Sequence, residues 1–185
     1  MSDTTPAADN AACTHKSPLI PRRTGTRRHV LAACCVTLCA LVNQGATAQQ
    51  GAASAEANSV LIRNAYDAFS RGDIDAVMAV FAPDIAWHVP GRGPLSRDYH
   101  GHAEVLAFFG HFMQLSNGTF RLRVDDVLAR GERVVVLCTE TAERAGRSWT
   151  APQVHVWTVK DGKVTAFREY EGDEQGDDEF WSTPG

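Results

Sequence analysis

The sequence lacks the short motifs that mark several large enzyme classes. It has no GxSxG nucleophile elbow, no glycine-rich phosphate loop and no dinucleotide-binding fingerprint. The spacing of His88, His100, His102 and His111 fits no common metal-binding pattern, so we expect neither a metal nor another cofactor. A site whose ligands converge from distant parts of the chain is the alternative.

The chain also lacks an apolar run long enough for an ordinary membrane-spanning helix. The run 29–42 has about 14 residues, whereas a spanning helix needs roughly 20. It follows two arginine pairs and precedes Ala46-Thr47-Ala48, which is the pattern of a secretory signal peptide. We therefore expect a signal peptide over 1–48 and a periplasmic or secreted product. The stretch 26–31, TRRHVL, is similar to the twin-arginine export signal, and an ordinary secretory leader is the alternative.

Basic charge and cysteine are scarce in the rest of the chain. Without residues 1–48 the chain keeps 13 basic and 20 acidic side chains, a net charge of −7. This balance argues against nucleic acid or an anionic membrane as a partner. Only Cys138 remains of the five cysteines, so no internal disulfide can form. The composition predicts a flexible tether over 49–57 and one domain over 58–185.

Apolar periodicity in this domain predicts three helices followed by a run of strands. The first helix ends at the Ser70–Asp73 break, and Asp73 can cap the second, which Pro83 ends. The third helix is predicted over 102–115. The predicted strands cover 85–89, 119–129, 133–143, 148–160 and 163–172.

This order of elements resembles a known superfamily. The stretch Tyr66–Pro90, YDAFSRGDIDAVMAVFAPDIAWHVP, is similar to the start of nuclear-transport-factor-2-like (NTF2-like) domains, which include ketosteroid isomerases and SnoaL-like polyketide cyclases. The resemblance extends over about 58–172. It implies an α+β, cone-shaped barrel in which a curved antiparallel sheet wraps around three N-terminal helices and encloses a pocket.

The hairpin around Gly162 predicts which side chains share the pocket face. A three-residue loop with Gly162 in the left-handed conformation would pair Val159 with Lys163. Counting outward along the strands gives three opposed pairs on one face, Trp157–Thr165, His155–Phe167 and Gln153–Glu169.

Comparison with the ketosteroid isomerases suggests a changed catalytic site. His155 falls where they have a protonated aspartic acid, and Val89 falls where they have the aspartate base. Their oxyanion-binding tyrosine corresponds to Ala65, one residue before Tyr66. Steroid isomerisation itself is therefore not the expected activity.

We predict that His155 and Glu169, diagonal to each other, act as an acid/base pair in an apolar pocket. The alternatives are a structural pair in the core and a solvated pair at a dimer interface. The resemblance implies further pocket-lining residues, which are Trp87, Val89, Tyr66, Phe109, Met113, Gln153, Trp157, Phe167 and Glu171. Core packing is the alternative role for the aromatic residues and Met113, and helix packing is the alternative for Tyr66.

The resulting functional hypothesis is an exported SnoaL-like protein that isomerises, cyclises or dehydrates a small apolar carbonyl compound without a cofactor. A non-catalytic binding module of the same fold is the alternative. The other face of the hairpin carries an apolar strip, from which we expect a homodimer. We expect the acidic C-terminal tail to be solvated, with Phe180 and Trp181 packed against the domain.

Overall fold

The computed structural model describes residues 28–182, with side chains from residue 49 onward. The chain forms two compact units, Met1–Val42 and Asn43–Gly185, and the fold described here belongs to the second. The predicted signal peptide, 1–48, lies partly outside the described residues and partly where side chains are not described, so its cleavage stays a prediction. Among the described helices, none combines the length and the apolar character needed to cross a membrane.

Four helices and six strands make up the described part of the chain. The helices are α1 (Arg28–Ser70), α2 (Ile74–Val80), α3 (Gly101–Leu115) and α4 (Glu174–Ser182). The strands are β1 (Phe81–Val89), β2 (Arg97–His100), β3 (Arg121–Arg130), β4 (Arg133–Arg144), β5 (Arg147–Lys160) and β6 (Lys163–Glu171). The α+β class predicted from the sequence is confirmed, with helices followed by a sheet.

Local chemistry accounts for the helix boundaries. The Asp73 side chain accepts a hydrogen bond from the Ala76 backbone N–H and caps α2, as predicted. The range 49–57, predicted as a flexible tether, lies within the bounds of α1. Alanine recurs there, and it has the highest intrinsic helix propensity. The short strand β2 was not predicted, because it lies in a stretch rich in glycine and proline.

The strands form one open sheet in the order β2-β1-β6-β5-β4-β3. All neighbours are antiparallel except β1 and β6, which run parallel, so the predicted fully antiparallel sheet is corrected to a mixed one. A parallel pair needs a long crossover connection, and α3 with four further strands lies between β1 and β6. The predicted end of α2 at Pro83 is also corrected, because β1 already begins at Phe81. Pro83 lies where the pairing of β1 with β6 shifts, so its missing N–H removes no regular hydrogen bond between the two strands.

The β5–β6 hairpin has a different register from the predicted one. Asp161 and Gly162 both adopt positive φ angles, 49° and 72°, which gives a two-residue turn in which Lys160 pairs with Lys163. A bulge then adds Thr165 on β6. The predicted three-residue loop was wrong because Asp161 also takes the left-handed conformation, which aspartate tolerates.

This register changes which residues face each other on the hairpin. His155 lies directly opposite Glu169, and Gln153 lies opposite Glu171. The predicted diagonal arrangement of His155 and Glu169 is therefore corrected to a direct cross-strand pair. Side chains of direct pairs approach more closely than those of diagonal pairs.

The helices pack against one face of the sheet and form the core with it. Ile62 of α1 and Val105 of α3 have no exposed surface. The opposite sheet face carries the exposed Leu128, Leu137 and Tyr170, and the homodimer expected from this face stays a prediction.

The C-terminal tail is more ordered than its acidic composition suggested. It forms α4, in which Phe180 and Trp181 are buried as expected. The tail is not wholly solvated, however, because Asp177 is only 2% exposed. Its hydrogen bonds to Trp149 and Gln153 explain this burial.

The packing of α1 against the sheet can be tested with two substitutions two residues apart. Ile62→Ala should lower the free energy of unfolding by about 2–5 kcal/mol, because it leaves a cavity in a tightly packed core. Val60→Ala, at a position that is 46% exposed, should change it by less than about 0.5 kcal/mol. Chemical denaturation followed by circular dichroism measures both. Equal effects of the two substitutions would contradict this packing.

Candidate functional site

The core contains a cavity of about 90 Å³ between the helices and the inner face of the sheet. Aromatic side chains are the largest group in its wall, and they are Tyr66, Phe69, Phe81, Trp87, Phe108, Phe109, Phe112, Phe120, Trp149, Trp157, Phe167 and Trp181. Polar side chains come from β4, β5, β6 and α4, and they include Glu140, Gln153, His155, Glu169, Glu171 and Asp177. The cavity can hold several water molecules or part of an organic ligand.

Successive cross-strand pairs of β5 and β6 divide the cavity wall into three levels. The first level pairs Trp157 with Phe167, whose ring stacks on Trp87 with 3.8 Å between the ring centroids. The second pairs His155 with Glu169, and the third pairs Gln153 with Glu171. Because residues two apart share a face, all three levels point into the cavity.

The second level contains a chain of close polar contacts around His155, which is 4% exposed. Its Nδ1 lies 2.6 Å from the Tyr66 hydroxyl. Its Nε2 lies 3.4 Å from one carboxylate oxygen of Glu169 and 3.4 Å from one of Glu140. Trp157 Nε1 donates a hydrogen bond of 3.0 Å to the Tyr66 oxygen.

These contacts shift the protonation equilibria of the group. Burial by itself lowers the pKa of His155, but its interactions with Tyr66, Cys138 and the two carboxylates raise that pKa well above the ordinary value. Burial raises the pKa of Glu140 to about 7. Burial also raises the pKa of Tyr66, so the phenol keeps its proton. The raised pKa favours the imidazolium form of His155, in which both ring nitrogens donate.

The third level lies beneath α4 and is held by Asp177. Its carboxylate accepts hydrogen bonds from Trp149 Nε1, at 2.7 Å, and from Gln153 Nε2, at 2.8 Å. Burial, followed by the nearby negative charges of Asp177 and Glu169, raises the pKa of Glu171 to about 9. A neutral carboxylic acid therefore stands beside the Gln153 amide at neutral pH.

A second aspartate connects α4 to the loop between β1 and β2 through hydrogen bonds. Asp178 Oδ1 accepts hydrogen bonds of 2.7 Å from the backbone N–H groups of Arg92 and Gly93. Gly91 in the same loop has φ of 88°, and a Cβ there would approach Asp178 Oδ1 to 2.6 Å. Glycine at this position therefore permits the close approach of α4.

Among the described residues, one group of side chains has the composition of a metal site. The ligand atoms of Cys138, Glu140 and His155 lie within 4.8 Å of one another. Cys138 Sγ lies 3.8 Å from His155 Nδ1, whereas Glu140 lies beside Nε2. No single ring nitrogen of His155 therefore faces both Cys138 and Glu140, and Nδ1 already contacts Tyr66. The arrangement fits a hydrogen-bonded proton relay better than a metal centre.

Nearly all residues predicted to line a pocket do line this cavity. They are His155, Glu169, Trp87, Val89, Tyr66, Phe109, Gln153, Trp157, Phe167 and Glu171. Met113 does not, and its prediction is corrected: it is 38% exposed, because the inward face of α3 carries Val105, Phe108, Phe109 and Phe112. Helix packing was the alternative role for Tyr66. Packing alone does not account for this residue, since its phenol contacts His155 directly.

Sequence reasoning missed three charged residues of the cavity, which are Glu140, Asp177 and Asp178. Glu140 follows Val134, Val136 and Cys138 at alternate positions of β4, so strand periodicity could have placed it on the inner face. Asp177 lies in a tail with many acidic residues, and no local pattern distinguishes it from its solvated neighbours.

Comparison with known proteins supports the fold and its family. Residues 62–167 match the SnoaL-like domain family. The protein Rv0034 of Mycobacterium tuberculosis is 30% identical over 128 residues, which cover 69% of this chain and 98% of that protein. An NTF2-like protein from Burkholderia pseudomallei is 35% identical, with a TM-score of 0.63 over 69% of this chain and 98% of that one.

A second similar structure is TerC, which was co-crystallised with polyporic acid. It is 29% identical and has a TM-score of 0.58, and the match covers 62% of this chain and 91% of TerC. The open six-stranded sheet with its helices is therefore the NTF2-like cone fold. On this evidence, the chain belongs to the SnoaL-like domain family.

Proposed function

We propose that the cavity performs cofactor-independent acid/base chemistry on a small apolar carbonyl compound. The observation that carries this proposal is the continuous contact from Tyr66 through His155 to Glu169 inside an aromatic cavity. Isomerisation, cyclisation and dehydration all begin with proton removal beside a carbonyl group, and this set of side chains supplies the required donor and base.

Tyr66 is the donor for the carbonyl oxygen. Its own oxygen accepts from Trp157 Nε1 and, when His155 is protonated, from Nδ1. The phenolic hydrogen is then available for a third partner in the cavity. A ligand carbonyl oxygen would accept it, and the interaction would strengthen as negative charge develops on that oxygen.

Glu169 is the base in this scheme. Its carboxylate removes a proton from the carbon beside the carbonyl, and the electron pair of the broken C–H bond moves to the carbonyl oxygen. His155 holds Tyr66 on one side and Glu169 on the other, so it positions both. Return of the proton from Glu169 to a different carbon completes an isomerisation. Transfer of that proton to a departing β-hydroxyl group, which leaves as water, completes a dehydration.

A non-catalytic binding protein is the second candidate. The predominantly apolar wall favours it, because such a surface binds apolar molecules without chemistry. The likeness to TerC, which was co-crystallised with polyporic acid, supports a small organic ligand under either function.

We further propose export and self-association. The basic and apolar pattern before Ala48 supports export. The apolar side chains on the outer sheet face, with Leu128 and Tyr170 more than half exposed, support a homodimer.

Catalysis can be tested with 1-indanone as a generic ketone. In D₂O the wild-type protein should accelerate exchange of the hydrogens beside the carbonyl, as followed by ¹H NMR. His155→Gln and Glu169→Gln should each reduce the accelerated rate by about 10²-fold or more, the usual contribution of a placed acid or base. Glu143→Gln, an exposed change on β4, should leave it unchanged. A wild-type rate equal to that of buffer alone would contradict the catalytic proposal.

The raised pKa values predict how stability depends on pH. Glu140, Glu171 and His155 all bind protons more tightly in the folded state than in the unfolded state. Their stabilising contributions are complete below the unfolded pKa values, 4.5 for glutamate and 6.5 for histidine, and are lost as pH rises through the folded values. The melting temperature should therefore fall between pH 5 and pH 9.

Glu171→Gln should flatten the part of this dependence between pH 7 and pH 9, because glutamine does not ionise and the pKa of Glu171 is about 9. Glu143→Gln serves as the control with the same chemical change on the exposed surface. Differential scanning calorimetry measures all three proteins. A melting temperature that is constant or rises from pH 5 to pH 9 would show that these pKa values are not raised.

A further inference from the structure

Three buried polar side-chain atoms in the cavity wall lack a hydrogen-bond partner among the described residues. One is Trp87 Nε1, and the other two belong to a single cross-strand pair. They are Gln153 Oε1 and Glu171 Oε2, and both are buried. Their residues form the third cross-strand pair, one level beyond His155 and Glu169. Buried polar atoms in folded proteins almost always have partners, so this pair indicates a position where a ligand group binds.

The orientation of Gln153 supports this interpretation. Its side chain is 97% buried, and its Nε2 donates to Asp177. Since a carboxylate only accepts hydrogen bonds, this contact fixes which end of the amide is the nitrogen. The amide oxygen is the end left without a partner.

We infer that Gln153 and Glu171 form a hydroxyl-binding subsite, so that the ligand is an apolar carbonyl compound that also carries a hydroxyl group. This inference rests on the proposed function for the place of the carbonyl group. Successive levels are two residues apart along a strand, which places the hydroxyl about 7 Å from the His155 level.

A hydroxyl group fits this pair better than an ammonium group does. The Gln153 oxygen can only accept a hydrogen bond, whereas burial holds Glu171 in its neutral form, with its pKa raised to about 9, and a neutral carboxyl group can donate. A hydroxyl both donates and accepts, so it satisfies both atoms. An ammonium only donates, so it could not accept the hydrogen of the neutral carboxyl group.

The subsite can be tested with 2-naphthol and 2-methylnaphthalene, which have the same skeleton and nearly the same size. In an apolar cavity without this subsite, the methyl compound should bind more tightly, because the hydroxyl loses its hydration. With the subsite, 2-naphthol should bind about tenfold more tightly than 2-methylnaphthalene to the wild-type protein. Titration followed by protein NMR measures both affinities.

Two variants locate the preference within the cavity. Glu171→Met and Gln153→Met should each reduce it to less than about threefold or reverse it, while Glu143→Gln should retain it. Glu171→Met leaves the contact between Gln153 and Asp177 in place, so it remains informative if Gln153→Met folds poorly. Circular dichroism of each variant establishes folding.

Three results would overturn the inference: tighter binding of 2-methylnaphthalene, no binding of either compound, or a preference that survives both substitutions. A preference abolished by His155→Gln but not by Glu171→Met would also overturn it, because the hydroxyl would then bind at the second level. Ketone exchange tests the proposed function separately. Loss of exchange activity with a preserved naphthol preference would reject the catalysis and keep the hydroxyl subsite.

Discussion

A histidine buried in an aromatic cavity needs a hydrogen-bond partner at each ring nitrogen, and the arrangement of the cavity wall follows from that need. Tyr66 from α1 lies at Nδ1, and carboxylates from β4 and β6 lie at Nε2. These contacts tie the first helix to three parts of the sheet. The nearby carboxylates favour the cationic form of the imidazole, and in that form the phenolic hydrogen of Tyr66 is free to point into the cavity.

The three levels of the β5–β6 hairpin carry side chains of different chemical character. The tryptophan level supplies apolar surface, and under the proposals made above the His155 level transfers protons and the Gln153 level, beneath α4, recognises the ligand. Since fold alone does not determine function, the side chains at these levels carry the chemical argument. Changes at the third level alone could alter the preferred ligand within this family and leave the proton relay intact.

Much of the fold was predictable from the sequence because its signals are local. Asp73 caps α2, and apolar alternation marks β4 and β5. The register of the β5–β6 hairpin was not predictable in the same way, since it depends on whether Asp161 or only Gly162 adopts a positive φ angle. That single choice decides whether His155 faces Phe167 or Glu169.

The candidate site was predictable only at positions where strand alternation shows which face of the sheet a side chain lies on. His155, Glu169 and Glu171 follow from alternation and the family resemblance, and Glu140 obeys the same rule although it was overlooked. Asp177 and the contact between Tyr66 and His155 depend on how distant helices dock on the sheet. Tertiary packing of this kind leaves no periodic pattern in the sequence.

The proposed chemistry depends on His155 being a cation that the neighbouring carboxylates stabilise. A ¹⁵N-edited NMR titration of the histidine ring nitrogens tests it most directly, with His155→Gln identifying the signals. We predict that both His155 nitrogens stay protonated at pH 7 and that the ring loses its proton well above the ordinary value of 6.5. Deprotonation at or below pH 6.5 would contradict the account, because the phenolic hydrogen of Tyr66 would then be donated to His155 rather than to a ligand.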